Sequence, residues 1–463
     1  MKSSLKDIIK IESNSDLLNE KFSYKGIYYW ALIRPDMLTS YIEDFNNIKV
    51  VKDSFRGLTL KKLIKYFVIS FFRNYIFIKK KYDYVFWGSD ITNILVENGG
   101  KFFNRVHDYF AEVEKTNSLV VEESHNFEYK KPRTFKNVCH PGITMMRARF
   151  CSKITKKKQE RQKIEDYILF LKENFTYQLS DEVWRHLQFK LYTRVKEIDF
   201  LIRDYKKFIK RVKPKLIFIN GASYGSYTAI LTYVAHSLNV KVAELQHGAV
   251  SSSHHGYNFD SRLSSKYLIF LPNFFLSYGN FWNEQINLPT KKIAIGNPHL
   301  IEEYKRNSSQ LKRNLLLYIS SGLQPQKDID FALELLPLLK ENDYEILFRP
   351  HPLERPFSDE LYKDLIKKGI ELDVKSLYVT LSQTKFVIGE VSTVLYEAIL
   401  YDNKVIIIDS TMSKENSIFK NRAANPSEVI KIIQNHKYSD CNVNYFWETT
   451  WRENYRNFIE GYL

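Results

Sequence analysis

The sequence predicts an α/β protein of two Rossmann-like, doubly wound domains that face a cleft. Short apolar runs alternate with helix-forming stretches over most of the chain. This alternation is typical of parallel sheets whose strands are joined by crossover helices. A chain of 463 residues is also too long for one ordinary hydrophobic core, so two domains are expected.

The cysteines and the N-terminus indicate a reducing compartment. Cys139, Cys151 and Cys441 are odd in number and lack a CxxC spacing, which argues against a disulfide framework and against a zinc site. The opening MKSSLKDIIKIESNSD has acids where a signal peptide needs a continuous apolar stretch. We therefore expect a cytoplasmic protein.

The formal net charge of +16 calls for an anionic partner. The segment Arg56–Lys81 has eight basic residues, no acid and bulky apolar groups between them. Its apolar runs fall short of the roughly 20 residues that span a bilayer, and a basic, aromatic segment suits the surface of an anionic membrane. A core helix with solvated lysines explains the same pattern, and both interpretations stay open. We expect peripheral contact with the inner face of the cell membrane and no nucleic-acid partner.

The first domain is predicted over residues 1–265, with helical insertions. Its clearest unit is a strand, a helix at about 226–238 and a second strand, which is the spacing of a parallel crossover. A long helix or helix pair over about 156–212 precedes this unit and stops at Pro214. The expected strands are Tyr82–Trp87, Ser118–Val121, Leu216–Ile219 and Lys241–Leu245, with a helical stretch from Gly100 to Val113.

The second domain is predicted over residues 266–440, and a helical tail over 441–463. Helices over 328–341, 359–368 and 393–400 separate several of its apolar runs. The expected strands are Tyr267–Leu271, Lys292–Ile295, Asn314–Ile319, Glu345–Phe348, Phe386–Ile388 and Val405–Ile408.

Four loops of this second domain each follow a predicted strand, where ligands bind open α/β sheets. Small and hydroxylated residues at a strand-to-helix turn leave backbone N–H groups and the helix dipole available to a phosphate. A neighbouring histidine and arginine add charge-assisted contacts, and Glu397 can accept hydrogen bonds from ribose hydroxyls. The candidate donor-binding residues are Gly296, Asn297, Ser320, Ser321, Gly322, Arg349, His351, Pro352, Ser392, Thr393 and Glu397.

His247 is the candidate catalytic residue of the first domain. It follows the strand Lys241–Leu245 and precedes Gly248, and its ordinary pKa is close to the pH at which proteins work. A hydrogen-bonded structural histidine is the alternative. Three acids are candidate bases from their positions alone: Asp90, Asp108 and Glu123.

The order QHG, GNP, RPHP and a Ser-Thr step ahead of a LYEA-type helix resembles bacterial capsule and teichoic-acid transferases of the GT-B fold. These include CMP-sugar transferases of lipopolysaccharide and capsule synthesis, and CDP-glycerol glycerophosphotransferases. The resemblance covers about 216–409 and implies that His351, Ser392 and Thr393 grip the donor phosphate, and that His247 serves the chemistry. The glycerophosphotransferase pattern continues as HGTP, whereas this chain has HGAV, so the CMP-sugar group is favoured.

The resemblance therefore predicts a glycosyltransferase that uses a CMP-activated acidic sugar, such as Kdo, sialic acid or another nonulosonic acid, and a glycan or glycolipid acceptor. No cofactor is expected besides this nucleotide-sugar donor. The DxD match Asp328-Ile329-Asp330 opens a predicted helix, where aspartates act as caps, so metal-independent transfer is expected. The leading interpretation is an inverting transferase. The alternatives are a CDP-glycerol or UDP-sugar donor, a hydrolysing epimerase, and a non-enzymatic basic membrane-binding or nucleic-acid-binding protein.

Overall fold

The computed structural model describes residues 5–46, 59–96, 99–410, 412–435 and 442–462. The chain divides into two compact units. The first unit comprises residues up to 278, residues 282–295 and residues from 450 onward. The second unit comprises residues 279–281 and 296–449. The expected boundary near residue 265 differs from this division, because two strands beyond it belong to the sheet of the first unit.

The strands occur in the following order along the described residues. They are β1 Ser23–Tyr24, β2 Ile27–Tyr28, β3 Tyr84–Ser89, β4 Asn93–Val96, β5 Lys101–Asn104, β6 Ser118–Glu123, β7 Val138–Cys139, β8 Leu216–Ile219, β9 Lys241–Leu245, β10 Phe274–Ser277, β11 Lys291–Ala294, β12 Leu315–Ile319, β13 Glu345–Arg349, β14 Glu371–Leu372, β15 Phe386–Gly389, β16 Lys404–Ile408 and β17 Arg422–Ala423.

The α-helices alternate with these strands over much of the chain. They are α1 Leu5–Ile8, α2 Tyr29–Asn46, α3 Leu60–Phe72, α4 Asp108–Val113, α5 Gly142–Ile154, α6 Lys158–Asn174, α7 Asp181–Val212, α8 Tyr227–His236, α9 Asn280–Glu284, α10 Pro298–Asn307, α11 Pro325–Lys340, α12 Ser358–Leu361, α13 Lys363–Lys367, α14 Leu377–Gln383, α15 Thr393–Leu400, α16 Pro426–Asn435, α17 Val443–Phe446 and α18 Trp451–Tyr462.

A seven-stranded sheet forms the centre of the first unit, in the order β11-β10-β9-β8-β3-β6-β7. Every pair of neighbours in it is parallel. The inner strands are apolar along nearly their whole length, as expected of strands buried on both faces. The strand order changes direction between β3 and β8, so the carboxyl ends of these two strands form the crevice in which ligands of such sheets bind.

Helices of the first unit begin and end where local chemistry favours it. Ser180 caps the long α7, its side chain accepting a hydrogen bond from the Val183 N–H. The helix ends at Val212, and its C-cap Lys213 has a left-handed backbone conformation directly before Pro214. The C-terminal α18 belongs to the same unit, and its Phe458 ring lies 5.2 Å from that of Phe274 in β10.

A six-stranded sheet forms the centre of the second unit, in the order β14-β13-β12-β15-β16-β17. All of its pairs are parallel. Helices α11 and α16 pack against each other beside it. The buried core of this unit draws on the strands and on both helices, including Tyr318, Leu335, Phe348, Ile406 and Ile430.

The predicted fold class is confirmed, because both units are parallel doubly wound sheets with helices. Strands predicted at 82–87, 118–121, 216–219, 241–245, 314–319, 345–348, 386–388 and 405–408 are present with small shifts. The expected strand Tyr267–Leu271 is wrong, since Ser265–Phe270 is a 3-10 helix. The strand expected at 292–295 is present, but it pairs with β10 in the first unit. The stretch 100–113 is helical only in its second half, because β5 occupies the first.

Candidate functional site

The sheet of the second unit changes direction between β12 and β15, and three of the predicted loops begin there. Ile319, the last residue of β12, pairs with Arg349 at the end of β13. The same residue pairs with Gly389 at the end of β15 on its other side. The loops that carry Ser320, His351 and Ser392 therefore leave one edge of the sheet side by side, at the position where open α/β sheets bind ligands.

The Ser320 side chain lies in the interior beneath this edge. Its Oγ lies 2.9 Å from Oε2 of Glu354 and 3.2 Å from Oδ2 of Asp328, and only 1% of the residue is exposed. Burial, together with the charges of Glu390 and Glu354, raises the pKa of Asp328 to about 6. The hydroxyl is thus committed to buried carboxylates, and Ser321 and Gly322 are the partly exposed members of this motif.

His351 lies half-buried directly against Gly322. A β-carbon at Gly322 would come within 2.8 Å of the His351 ring, and the backbone of Gly322 has a φ of +72°, so glycine is the residue that fits. The Leu353 N–H donates to Nδ1 of His351 over 3.3 Å, which places the ring proton on Nε2. Burial lowers the pKa of His351 below its ordinary value. The side chain is therefore a neutral N–H donor at the sheet edge.

Arg349 is fixed within the second unit by an ion pair. Its Nη1 lies 2.5 Å from Oδ2 of Asp373 and donates also to the Lys375 carbonyl over 3.2 Å. Only 7% of Arg349 is exposed. The structure thus gives the arginine a structural partner, and its expected contact with a donor phosphate stays a prediction. Pro352 follows His351 in the adjoining exposed turn.

The loop after β15 presents the N-terminus of α15. Ser392 caps this helix, its Oγ accepting from the Val394 N–H over 3.2 Å. Thr393 is the first helical residue, and Glu397 lies one turn further on. Glu390 is buried, with its Oε1 3.2 Å from the Lys327 ammonium group. The helix end therefore offers backbone N–H groups and a positive dipole at the sheet edge from which the His351 loop also leaves.

Gly296 and Asn297 follow β11, which belongs to the sheet of the first unit, and not a strand of the second sheet as expected. Asn297 caps α10 by accepting from the Leu300 N–H over 3.2 Å. The Asp328-Ile329-Asp330 motif lies near the start of α11, but the expected capping role is wrong, because the helix begins at Pro325 with Gln324 at its N-cap position. Asp328 instead accepts hydrogen bonds from the Tyr318 and Ser320 hydroxyls inside the unit.

His247 follows β9 at the carboxyl edge of the first sheet. One strand, β8, lies between β9 and the point where the strand order changes direction. Tyrosine hydroxyls lie on both sides of its ring: that of Tyr224 is 3.4 Å from Nε2, and that of Tyr257 is 3.5 Å from Nδ1. Burial lowers the pKa of His247, and the charge of Arg105 lowers it further. The imidazole also makes a backbone hydrogen bond at Leu245, which works to raise the pKa. A neutral imidazole held in this way can accept a proton at neutral pH.

Glu244 lies beneath His247 and is fully buried. Its Oε2 accepts hydrogen bonds from the Ser223 N–H over 2.8 Å and from the Ser223 hydroxyl over 2.6 Å. Its Oε1 accepts from the Tyr257 hydroxyl over 2.8 Å. Burial raises the pKa of Glu244 to about 7 in spite of these donors. This carboxyl is connected to His247 through one tyrosine hydroxyl.

The three acids chosen by position are held by hydrogen bonds in the first unit. Burial works to raise the pKa of Asp108, but His107 and Arg133 outweigh it, and the pKa lies below its ordinary value. Asp90 accepts from the His125 N–H over 2.8 Å, and Glu123 from the Trp87 indole over 2.6 Å. Burial raises the pKa of both carboxyls. Asp108 is therefore suited to a structural role, because its charge is already neutralised.

Sequence reasoning missed Glu244, Tyr224, Tyr257 and Glu354. A signal existed for two of them. Glu244 is an acid inside the apolar strand VAEL, where a charge needs a partner. Glu354 stands three residues after His351, and its carboxylate accepts from the His351 backbone N–H over 2.7 Å. The tyrosines had no comparable signal, because aromatic residues are frequent throughout this chain.

No protein-family model matches this chain, and no curated protein matches it in sequence. Solved structures are similar to it at low identity. The UDP-GlcNAc 2-epimerase from Methanocaldococcus jannaschii is 13% identical, with a TM-score of 0.46, and the match covers 82% of this chain and 99% of that one. MnaA of S. aureus, in a co-structure with UDP, is 12% identical, with a TM-score of 0.46, over 83% and 97%. The wall teichoic acid polymerase TagF with CDPG is 10% identical, with a TM-score of 0.36, over 92% and 91%.

Proposed function

We propose that this protein is a nucleotide-sugar-dependent glycosyltransferase of surface-polysaccharide synthesis. The observation that carries the proposal is the change of direction between β12 and β15, where the loops of Gly322, His351 and Ser392 leave one edge of the sheet together. Phosphate groups bind well at such an edge, because a helix N-terminus and N–H donors meet there. The donor we propose is a CMP-activated acidic sugar, and the acceptor is a glycan or glycolipid of a capsule or lipopolysaccharide assembled at the inner face of the cell membrane.

The proposed site for the nucleotide-sugar donor would bind the phosphate through neutral hydrogen-bond donors more than through charged side chains. His351 offers its Nε2–H, and the first turn of α15 offers backbone N–H groups and the hydroxyl of Thr393. We propose that Glu397, one turn into the helix, accepts hydrogen bonds from ribose hydroxyls. Donors that are fixed before the substrate binds stabilise the charge that develops on a departing phosphate without reorganisation. This supports transfer that needs no metal ion.

The proposed chemical step is a single displacement. The acceptor hydroxyl oxygen forms a bond to the anomeric carbon of the donor, the bond from that carbon to the phosphate oxygen breaks, and the electron pair leaves with CMP. His247 takes the proton of the acceptor hydroxyl on Nε2, because Tyr257 directs its own proton to Glu244 and leaves its oxygen to accept from Nδ1–H. A single displacement inverts the anomeric configuration.

Nucleotide titration tests the donor class. We expect the purified chain to bind CMP more tightly than CDP or UDP in calorimetric titrations, and we expect the His351→Ala variant to lose much of that affinity. If the chain prefers CDP or UDP, the donor is CDP-glycerol or a UDP-sugar, respectively, and the CMP-sugar proposal is wrong. If the chain binds none of the three nucleotides, the transferase proposal is overturned and a non-enzymatic basic protein is favoured.

A further inference from the structure

Helix α3 carries its apolar side chains on the outside of the first unit. Leu60 and Phe72, at its two ends, are each 74% exposed. The exposed apolar positions recur at the spacing of one helical face: Leu60, Ile64, Phe67, Val68, Phe71 and Phe72. Of the two interpretations left open for Arg56–Lys81, the core helix is therefore wrong for α3. Residues 56–58 of that segment lie outside the described residues.

The inner face of α3 is held by polar groups. Tyr66 and Ser70 are its buried residues. The Ser70 hydroxyl is 3.0 Å from that of Tyr129, and the Tyr66 ring stacks on the Tyr129 ring at 5.1 Å. A side chain at Gly142 has no room beside the hydroxyls of Tyr66 and Ser70. The unit thus packs against only a narrow side of this helix, centred on Tyr66 and Ser70, and leaves most of its apolar side chains exposed.

Positive charge surrounds the exposed apolar face. Residues 59 to 82 include no acid, and the basic side chains of this stretch are exposed: Lys61, Lys62, Lys65, Arg73, Lys79, Lys80 and Lys81. Helix α5 packs on α3. It adds Phe150 and Ile154, which are 69% and 74% exposed, and the exposed basic residues Arg149 and Lys153. This exposed apolar surface has many basic side chains near it, and Glu128 pairs with one of them, Lys62, over 3.7 Å. An exposed apolar surface of this kind marks an interaction site.

We propose that α3, together with the exposed end of α5, docks the protein on an anionic membrane leaflet. The apolar stripe would enter the boundary of the acyl chains, and the lysines would contact lipid phosphates. At 1.5 Å per residue, the 13 residues of α3 extend about 20 Å, so the helix suits the membrane surface. Among the described residues, no helix is long and apolar enough to cross a bilayer. This proposal does not rest on the transferase reaction.

Vesicle sedimentation of the full chain tests the proposal. We expect binding to vesicles with phosphatidylglycerol and little binding to pure phosphatidylcholine, with loss of binding in about 0.5 M salt. The triple variant Leu60→Ser, Phe67→Ser, Phe72→Ser and the triple variant Lys61→Glu, Lys65→Glu, Lys79→Glu should each partition at least about tenfold more weakly. Phe189→Ser, which removes a 67% exposed ring from α7, is the matched control and should bind as the wild type does.

Three outcomes would overturn the proposal. The first is equal binding to neutral and anionic vesicles. The second is undiminished binding by both triple variants, with circular dichroism showing that they are folded. The third is a wild type that binds no vesicles and sediments as a dimer, while the apolar triple variant sediments as a monomer. The apolar face would then join two copies of the chain. Nucleotide titration of the same samples separates failure of this proposal from failure of the donor site.

Discussion

Tyr257 donates its hydroxyl proton to Oε1 of Glu244 over 2.8 Å in the interior of the first unit. The same hydroxyl oxygen lies 3.5 Å from Nδ1 of His247. One tyrosine therefore connects a buried carboxyl, whose pKa burial raises to about 7, with the imidazole that we propose as the base. The protonation of Glu244 and the orientation of His247 are coupled by this contact.

Glu244→Gln should change how stability depends on pH. The pKa of Glu244 rises from 4.5 to about 7 on folding, so the folded protein binds more protons than the unfolded chain between these values. The free energy of unfolding then falls as pH rises through this window. The variant lacks this titration, so the wild type should lose stability relative to it from about pH 5 to 7. Melting curves across that range check this, and a constant difference in Tm between the two proteins would contradict it.

His247→Ala should remove turnover and leave the fold in place. The ring is held by two long contacts to tyrosine hydroxyls and by a backbone hydrogen bond at Leu245, so we expect its loss to lower the free energy of unfolding only modestly. Transfer should fall by roughly 100-fold or more, the usual scale for a positioned proton-transfer group. His247→Asn keeps a hydrogen-bond donor but cannot titrate, and it should be as inactive. Turnover with a matched donor and acceptor is the measurement. A large drop in Tm, or full turnover, would show that the histidine is structural.

His351→Ala should weaken nucleotide binding by a few kcal/mol at most, the scale of one lost hydrogen bond to a charged group. The variant should melt close to the wild type, because His351 is half-buried and its ring lies at the sheet edge against Gly322. Leu353→Ala, which changes a 68% exposed neighbour in the same turn, is the matched control. Equal CMP affinity in wild type and His351→Ala would remove His351 from the donor site.

Arg349→Ala should lower stability more than any substitution in the exposed turn. It leaves Asp373 buried without its ion-pair partner, and breaking a buried pair in this way costs about 3–5 kcal/mol. Denaturant unfolding measures this cost, and Asp373→Asn should show a comparable loss. If Arg349→Ala melts normally and binds CMP weakly, the arginine is a donor ligand, as the sequence suggested.

Some of the fold could be predicted because it depends on local properties. Leu216–Ile219 and Lys241–Leu245 are apolar runs with a helix between them, and the structure places both as predicted. The runs 267–271 and 274–277 look alike as candidate strands, yet only the second enters the sheet. Pairing with β9 and β11 makes that choice. No local pattern expresses this, and the strand at 292–295 was assigned to the wrong sheet for the same reason.

The candidate site also has some features that depend on local sequence and others that depend on tertiary packing. The amino-acid sequence by itself placed His247, His351 and Ser392 at the ends of strands, because a polar residue after an apolar run is visible locally. Only the tertiary structure decided that Ser320 and Arg349 are committed to buried carboxylates, and that Glu244 meets Tyr257 beneath His247. A hydrogen bond between side chains depends on strand order, register and burial. These are set by packing between distant segments, since each buried polar group must find its partner among whichever residues the fold brings near.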